Sequence, residues 1–317
     1  MKATTIAAAA AAALAIETFG ARQPAPAPNQ TNLISHRGES IDAPENTLPA
    51  FETAVSRGFG FECDVYLSKD KRVFTFHDRN LKRTTAGANT NLCSEVDWEG
   101  TISKLDVGGW GKWKGSKFSG TRPALLEEVL KLARDGRYIY VEIKTGPEIV
   151  PYVKKVFDAQ KNATPANVLF IAFSKEACKA LKEQMPEYKV YWLTSSKLAK
   201  KDDSGKVEYV PITADFIIEN VRYCKADGVD CHYASDVVTR KLVKEVKAAG
   251  LEFHVWTVDR LDLALQALSR GVQTVTTNRA KGLMEDYAKK LEKAAARKAK
   301  REAAKQQKAS AQAEAAK

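Results

Sequence analysis

Phe59-Gly60-Phe61-Glu62-Cys63-Asp64-Val65, the turn Ser68-Lys69-Asp70-Lys71 and the run Val73-Phe74-Thr75-Phe76 decide how the chain divides into elements. Both apolar runs have strand composition, but the link between them is too short for a crossover helix. The second run is therefore predicted to fold back as an antiparallel hairpin partner of the first. With it set aside, eight strand-like runs remain, at 33–35, 59–65, 138–143, 168–173, 189–193, 228–230, 252–258 and 274–277. Helix-like segments are expected between and around them at 46–57, 123–135, 147–161, 174–185, 213–226, 235–249 and 260–270. Regular alternation of strand and helix places the chain in the α/β class, with a parallel sheet and helices outside it. Eight such units over residues 31–288 match a (β/α)₈ TIM barrel with a hairpin and loop inserted after the second barrel strand. A doubly wound open sheet is the alternative. The insert 79–122, rich in Gly, Lys and Trp, reads either as a functional cap or as a surface excursion.

Outside that region the ends differ in character. Lys2 precedes an apolar run from Ile6 to Ile16 and then small residues around Gly20, so residues 1–21 read as a signal segment for export, with cleavage after Gly20. The run is too short to cross a bilayer. Three alternating prolines make 22–30 an extended spacer. Residues 289–317 carry ten Lys/Arg against three Glu, so most of the net charge of +11 lies in this tail. It is expected to be solvated, as a helix or disordered, and it is able to contact anionic surfaces. The folded part is close to neutral, which argues against a nucleic-acid-binding domain. The five cysteines contain no CxxC pair, which removes support for a zinc ribbon; buried free thiols are favoured over a Cys224–Cys231 bridge.

The chemistry gathers between His36 and Asp78. Glu62 and Asp64 lie two apart on a strand, so both face one side and Cys63 faces the other. Glu142, near the end of a later strand, is followed by Lys144 at the same parity. Strand C-terminal ends converge in a barrel, so Glu62, Asp64 and Glu142 form a candidate all-oxygen site for Mg²⁺ or Ca²⁺; ordinary paired carboxylates are the bland alternative. His36 and His77 both end strands and are candidates for a base and an acid around a phosphoryl or acyl centre. Arg37 suits phosphate oxygens and Lys144 adds a point charge. His232 and His254 are read as structural, with His254 in the barrel core. Ahead of the first helix, Asn46 or Thr47 is a candidate cap, and Glu45 is either part of that start or a site residue.

These residues together carry a resemblance. His36-Arg37-Gly38, Pro44-Glu45-Asn46-Thr47 with Ala50-Phe51, Glu62-Cys63-Asp64-Val65, His77-Asp78, Arg83-Thr84-Thr85, Pro123 leading into Leu126-Glu127-Glu128-Val129-Leu130, Glu142-Ile143-Lys144, Phe173-Ser174 and Val255-Trp256-Thr257-Val258 follow in order across about 33–283. The set resembles the glycerophosphodiester phosphodiesterase family. That resemblance implies a TIM barrel, a divalent cation on Glu62, Asp64 and Glu142, catalytic histidines at His36 and His77, and phosphate contacts from Arg37 and Lys144. It also places Trp256 on an apolar side of the substrate pocket, with Phe173 among the substrate contacts. The implied activity is hydrolysis of a small glycerophosphodiester to glycerol 3-phosphate and an alcohol. A lysophospholipase D or sphingomyelinase D-like activity on lipid phosphodiesters is the second reading, and a non-catalytic binder of a phosphorylated surface polymer the third. Two departures stand out: Asn278 where the family commonly has Asp, and Asp259 where Asn is usual.

Overall fold

The structure is a computed structural model that describes residues 27–315 apart from residue 203. The expected signal segment and most of the spacer lie outside the described residues. In chain order the strands are β1 (Leu33–Ser35), β2 (Gly60–Leu67), β3 (Val73–Thr75), β4 (Ile139–Ile143), β5 (Val168–Ala172), β6 (Val190–Thr194), β7 (Lys197–Lys201), β8 (Val207–Pro211), β9 (Gly228–His232), β10 (Glu252–Trp256) and β11 (Val275–Thr277). The helices are α1 (Leu48–Ser56), α2 (Leu126–Leu130), α3 (Val150–Asp158), α4 (Lys175–Gln184), α5 (Ala214–Tyr223), α6 (Arg240–Ala248), α7 (Leu261–Ser269) and α8 (Ala280–Ala315).

Parallel pairing runs β1-β11-β10-β9-β6-β5-β4-β2, and β1 pairs again with β2, closing eight strands into a (β/α)₈ barrel. Alternation along the strands divides the apolar residues into two layers. Cys63, Val65, Val141, Phe170, Val229 and Val255 face outward and pack under the helices in the large core. Ile34, Tyr140, Leu169, Ile171, Tyr191 and Leu193 face inward and fill the barrel. The strands are consequently buried on both faces, as parallel strands under helices must be.

β3 pairs antiparallel with the end of β2, Val65 opposite Thr75 and Leu67 opposite Val73, as the short turn predicted. β2 thus runs past the barrel rim and carries the hairpin over the mouth. Tyr66, Phe74, Phe76, Leu81, Trp98 and Ile102 join in a second apolar core, so the 79–122 insert is a packed cap.

Three expectations need correction. The segment expected as helix over 123–135 is helical only as α2, because the chain turns back at Gly136, which adopts φ 73°. The β7–β8 hairpin was not anticipated; its strands are largely exposed and carry no buried face to pattern the sequence. Neither Asn46 nor Thr47 caps α1 with its side chain: Thr47 donates its hydroxyl to the Pro44 carbonyl at 2.6 Å. The segment expected as a solvated helix or disordered coil is helical: α8 begins against the barrel through Ala280 and Leu283 and runs on, exposed, from Lys289. All five cysteines are free and buried, so no Cys224–Cys231 bridge forms. Among the described residues, no helix is long and apolar enough to cross a membrane.

Candidate active site

A cavity of about 290 Å³ opens where the barrel strands end, and it brings together His36, Arg37, Glu62, His77, Glu142 and Lys144. Phe173 and Trp256 line its apolar side. Asp64, only 1% exposed, is buried beside them. The residues expected to hold the cation, move protons and contact the substrate therefore meet in one place. A second depression of about 230 Å³, around Gly58, Arg137 and Tyr138 at the opposite barrel end, contains none of them.

The first loop is built for close approach. Arg37 and Gly38 take φ 56° and 78°, and a Cβ on Gly38 would stand 2.6 Å from the Ala50 carbonyl carbon. Only glycine lets α1 press on this turn. The turn directs the Arg37 N–H to Glu62 Oε2 at 2.8 Å. Asn46, at φ 55°, donates its amide to Asp64 Oδ2 at 2.7 Å and accepts the Asp64 N–H at 3.1 Å. Asn tolerates this left-handed geometry better than most residues. Glu45 accepts from Arg37 at 2.8 Å and from both terminal nitrogens of Arg83, which also bonds Asp78 at 2.7 Å. Glu45 is thus the link between the His36 loop and the His77 loop.

Glu62, Asp64 and Glu142 each offer an oxygen within 4.8 Å of the others. Burial, then the neighbouring Asp64 and Glu142, pushes the Glu62 carboxyl well above the usual range. Burial and Asp64 bring Glu142 up to about 7 against the pull of Lys144. Burial opposes ionisation of Asp64 too, but Lys144 and Arg37 outweigh it and hold that group at about 2. The Lys144 ammonium lies 2.7 Å from Glu142 Oε1 and 3.1 Å from Asp64 Oδ1. Two fixed cations therefore face three carboxylates. Glu62 Oε1 is buried without a hydrogen-bond partner among the described residues, and Asp64 Oδ1 makes no aligned bond. Bare, buried, all-oxygen donors fit a hard divalent cation.

The histidine tautomers follow from their partners. Asp259 Oδ2 accepts the Asn278 amide at 2.7 Å, while Oδ1 accepts the Asn278 N–H at 2.8 Å and the Thr277 hydroxyl at 3.0 Å. A carboxylate only accepts, so it turns the Asn278 NH₂ toward itself and the amide oxygen toward His36. His36 Nδ1 is 2.7 Å from that oxygen and carries the proton, leaving Nε2 with its lone pair. Burial first, and Arg37 next, lower this imidazole to about 4. His77 Nδ1 lies 2.7 Å from Asp78 Oδ1. Arg83, the main influence on Asp78, holds it ionised at about 2, so His77 donates from Nδ1 and its Nε2 is left for a ligand.

A model of the glycerophosphoryl diester phosphodiesterase family matches residues 36–281. The chain belongs to this family. Its similarity extends to a glycerophosphodiester phosphodiesterase of Caldanaerobacter subterraneus, 28% identical over 253 residues, covering 78% of this chain and 94% of the relative. One from Bacillus subtilis is 26% identical over 268 residues, covering 79% and 84%. Among solved structures, a phosphodiesterase of Oleispira antarctica in complex with the product sn-glycerol-3-phosphate aligns with a TM-score of 0.66 at 24% identity, over 80% of this chain and 95% of that one. The protein is thus a hydrolase of a family whose solved members share its barrel.

The two departures from the family pattern acquire a meaning here. Asp259 and Asn278 touch, so acid and amide have changed places and the phosphodiesterase barrel keeps one of each beside His36. Sequence reasoning noticed both positions but had no way to see the contact. It also missed Asp230, which lines the cavity from β9. His232 is exposed at the rim, edge-on to Trp256 at 5.4 Å. Trp256 is fixed by its indole N–H, which donates to the Asp230 carbonyl at 3.1 Å, and Phe173 meets it edge-on at 5.7 Å. His254 is in the barrel interior against Tyr191 and Thr274, as expected.

Proposed function

We propose that this protein hydrolyses glycerophosphodiesters to glycerol 3-phosphate and an alcohol, using a Mg²⁺ or Ca²⁺ ion held by Glu62, Asp64 and Glu142. The observation that carries the reading is the convergence, in one cavity, of the acidic trio with two cations and two histidines whose Nε2 atoms are both unengaged by a hydrogen bond among the described residues. An ion held there would supply positive charge to a phosphoryl oxygen. Arg37 Nε is a buried donor without a partner, 3.5 Å from Asp64 Oδ2, and suits a second phosphoryl oxygen. Lys144 adds charge that counters what builds up as the nucleophile adds. His36, neutral and with Nε2 bare, suits the base that removes the nucleophile's proton. His77, backed at Nδ1 by the Asp78 carboxylate, suits the acid that in its doubly protonated form gives its Nε2 proton to the leaving alcohol. Trp256 and Phe173 give the departing portion an apolar wall.

Residues 1–21 support export and 22–30 a spacer that leads into the folded domain 31–288, while the basic tail 289–317 supports contact with an anionic surface. The enzymatic test is release of glycerol 3-phosphate from glycerophosphocholine and glycerophosphoethanolamine, with and without chelator. Chelator-sensitive product is expected, and absence of product from any glycerophosphodiester overturns the proposal. A faster rate on lysophosphatidylcholine than on glycerophosphocholine would move the substrate to lipids. A mature N-terminus at Ala21 in the extracytoplasmic fraction is the outcome that export requires.

A further inference from the structure

Asp230 takes no part in the cation, base or acid roles assigned above, yet it lines the same cavity. Its neighbours Val229 and Cys231 pack outward under the helices, so alternation points Asp230 into the barrel, level with Leu193 of β6 and His254 of β10. It is 1% exposed, and neither carboxyl oxygen has a hydrogen-bond partner among the described residues. An unpartnered buried acid destabilises the fold that carries it. Around it the cavity floor is apolar: Ile171, Leu193 and Trp256. The Trp256 N–H is no help, because it is bound to the Asp230 backbone carbonyl. The acidic group suited to a cation consists of Glu62, Asp64 and Glu142, and Asp230 is not a member.

Burial, reinforced by the charge on Glu142, pushes this carboxyl well above the usual range, and in either protonation state its two unpartnered oxygens accept hydrogen bonds. An alcohol hydroxyl supplies the donor they lack. A quaternary ammonium has no hydrogen to donate, and the phosphate is claimed by Arg37 and Lys144. We propose that Asp230 is the residue that recognises a hydroxyl of the glycerol portion, so that the cavity selects phosphodiesters of a vicinal diol over their deoxy analogues. This rests on the phosphodiesterase reading above and adds the origin of its substrate selectivity. A site whose polar group stays unpaired with the wrong substrate rejects that substrate strongly.

The experiment uses the full chain with Mg²⁺ or Ca²⁺, as wild type, Asp230→Leu and Asp230→Asn. Glycerol 3-phosphate and propyl phosphate are titrated calorimetrically, and kcat/KM is measured on glycerophosphocholine and propyl phosphocholine. Wild type is expected to prefer the glycerol ligand by roughly tenfold or more. In Asp230→Leu that ratio falls close to one, cation affinity is unchanged, and the ligand-free protein melts at a higher temperature. Asp230→Asn, which keeps a donor and an acceptor, retains the preference. An unchanged ratio in Asp230→Leu overturns the proposal. So does a variant that melts lower and loses both ligands equally, because Asp230 is then structural, and so does loss of cation affinity. Wild type that cleaves glycerophosphocholine but treats the propyl compounds alike sinks the role of Asp230 alone. Wild type that neither binds glycerol 3-phosphate nor cleaves any glycerophosphodiester sinks the enzymatic reading and this inference with it.

Discussion

The Asp259–Asn278–His36 chain makes a quantitative claim about which nitrogen of His36 carries the proton. In Asp259→Asn the residue at 259 no longer compels the Asn278 amide to face it, and the amide is free to turn its NH₂ toward His36. Nδ1 must then accept, the proton moves to Nε2, and the base loses its lone pair. The 2.7 Å bond between Asn278 Nδ2 and Asp259 Oδ2 is charge-assisted and worth about 1.5–3 kcal/mol, so losing it lowers the working tautomer by roughly tenfold to hundredfold. kcat on glycerophosphocholine should fall by that factor, with KM and cation affinity little changed. Pairing Asp259→Asn with Asn278→Asp restores the arrangement in reverse. The new amide at 259 donates to the new carboxylate at 278 and still accepts the backbone N–H and the Thr277 hydroxyl, while the carboxylate accepts from His36. The double variant should therefore recover most of the lost activity, a coupling that a double-mutant cycle reads directly. Full kcat in Asp259→Asn, or a double variant no better than the single ones, refutes the tautomer argument.

Asn46→Ala removes both contacts to Asp64 and leaves alanine at φ 55°; titration should show cation affinity lower by roughly 10–100-fold, and intact affinity would deny Asn46 its positioning role. His77→Ala should lose about 10²-fold or more on glycerophosphocholine but little on a p-nitrophenyl phosphodiester, whose leaving group needs no protonation, whereas His36→Ala should be slow on both. Equal behaviour of the two variants would undo the acid and base assignments. Cys63→Ala acts in the outer core and should cost about 1 kcal/mol in denaturant melts with cation binding intact, while Glu62→Gln should abolish binding; the reverse pattern would mean a slipped strand register. The acid side of the stability profile follows from Glu252 and His254. His254 first, then Lys189 and Tyr191, hold the Glu252 carboxyl down at about 2 in the folded state, so its contribution is complete above the unfolded value of about 4.3 and disappears as pH falls toward 2. His254 is itself lowered by burial, so its contribution is present above about 6.5 and is lost as pH falls below that. Glu62, Glu142 and Asp230, raised by burial in the folded state, act in the opposite direction above about pH 4.3, so the test lies below it: in chelator, Glu252→Gln should flatten the fall of melting temperature below about pH 4.3, and an unchanged slope there would contradict the assignment.

Local pattern was enough for the barrel, for the hairpin on β2, and for the parity that sets Glu62 and Asp64 against Cys63, because strand alternation and turn length are properties of neighbouring residues. The family motifs added the roles expected of His36, His77, Arg37 and Lys144, and those residues do share a cavity. The β7–β8 hairpin was illegible because Lys197-Leu198-Ala199-Lys200-Lys201 lies on the surface and buries no face that would impose alternation. Asn46 looked like a helix cap, the usual role for Asn ahead of a helix, until the fold placed Asp64 against it, 18 residues away. The partner of His36 lies 242 residues along the chain, and only closure of β1 against β11 brings Asn278 and, through it, Asp259 to the ring. Asp230 shows the same limit: in the sequence it is one acid among many, and burial among apolar side chains from three other strands makes it an unpaired one. Sequence alone determined the periodic elements and the side of each strand on which a residue falls. Which residues meet, which lose their water and which proton each keeps were decided by the tertiary structure, because those depend on distances that close only when the barrel does.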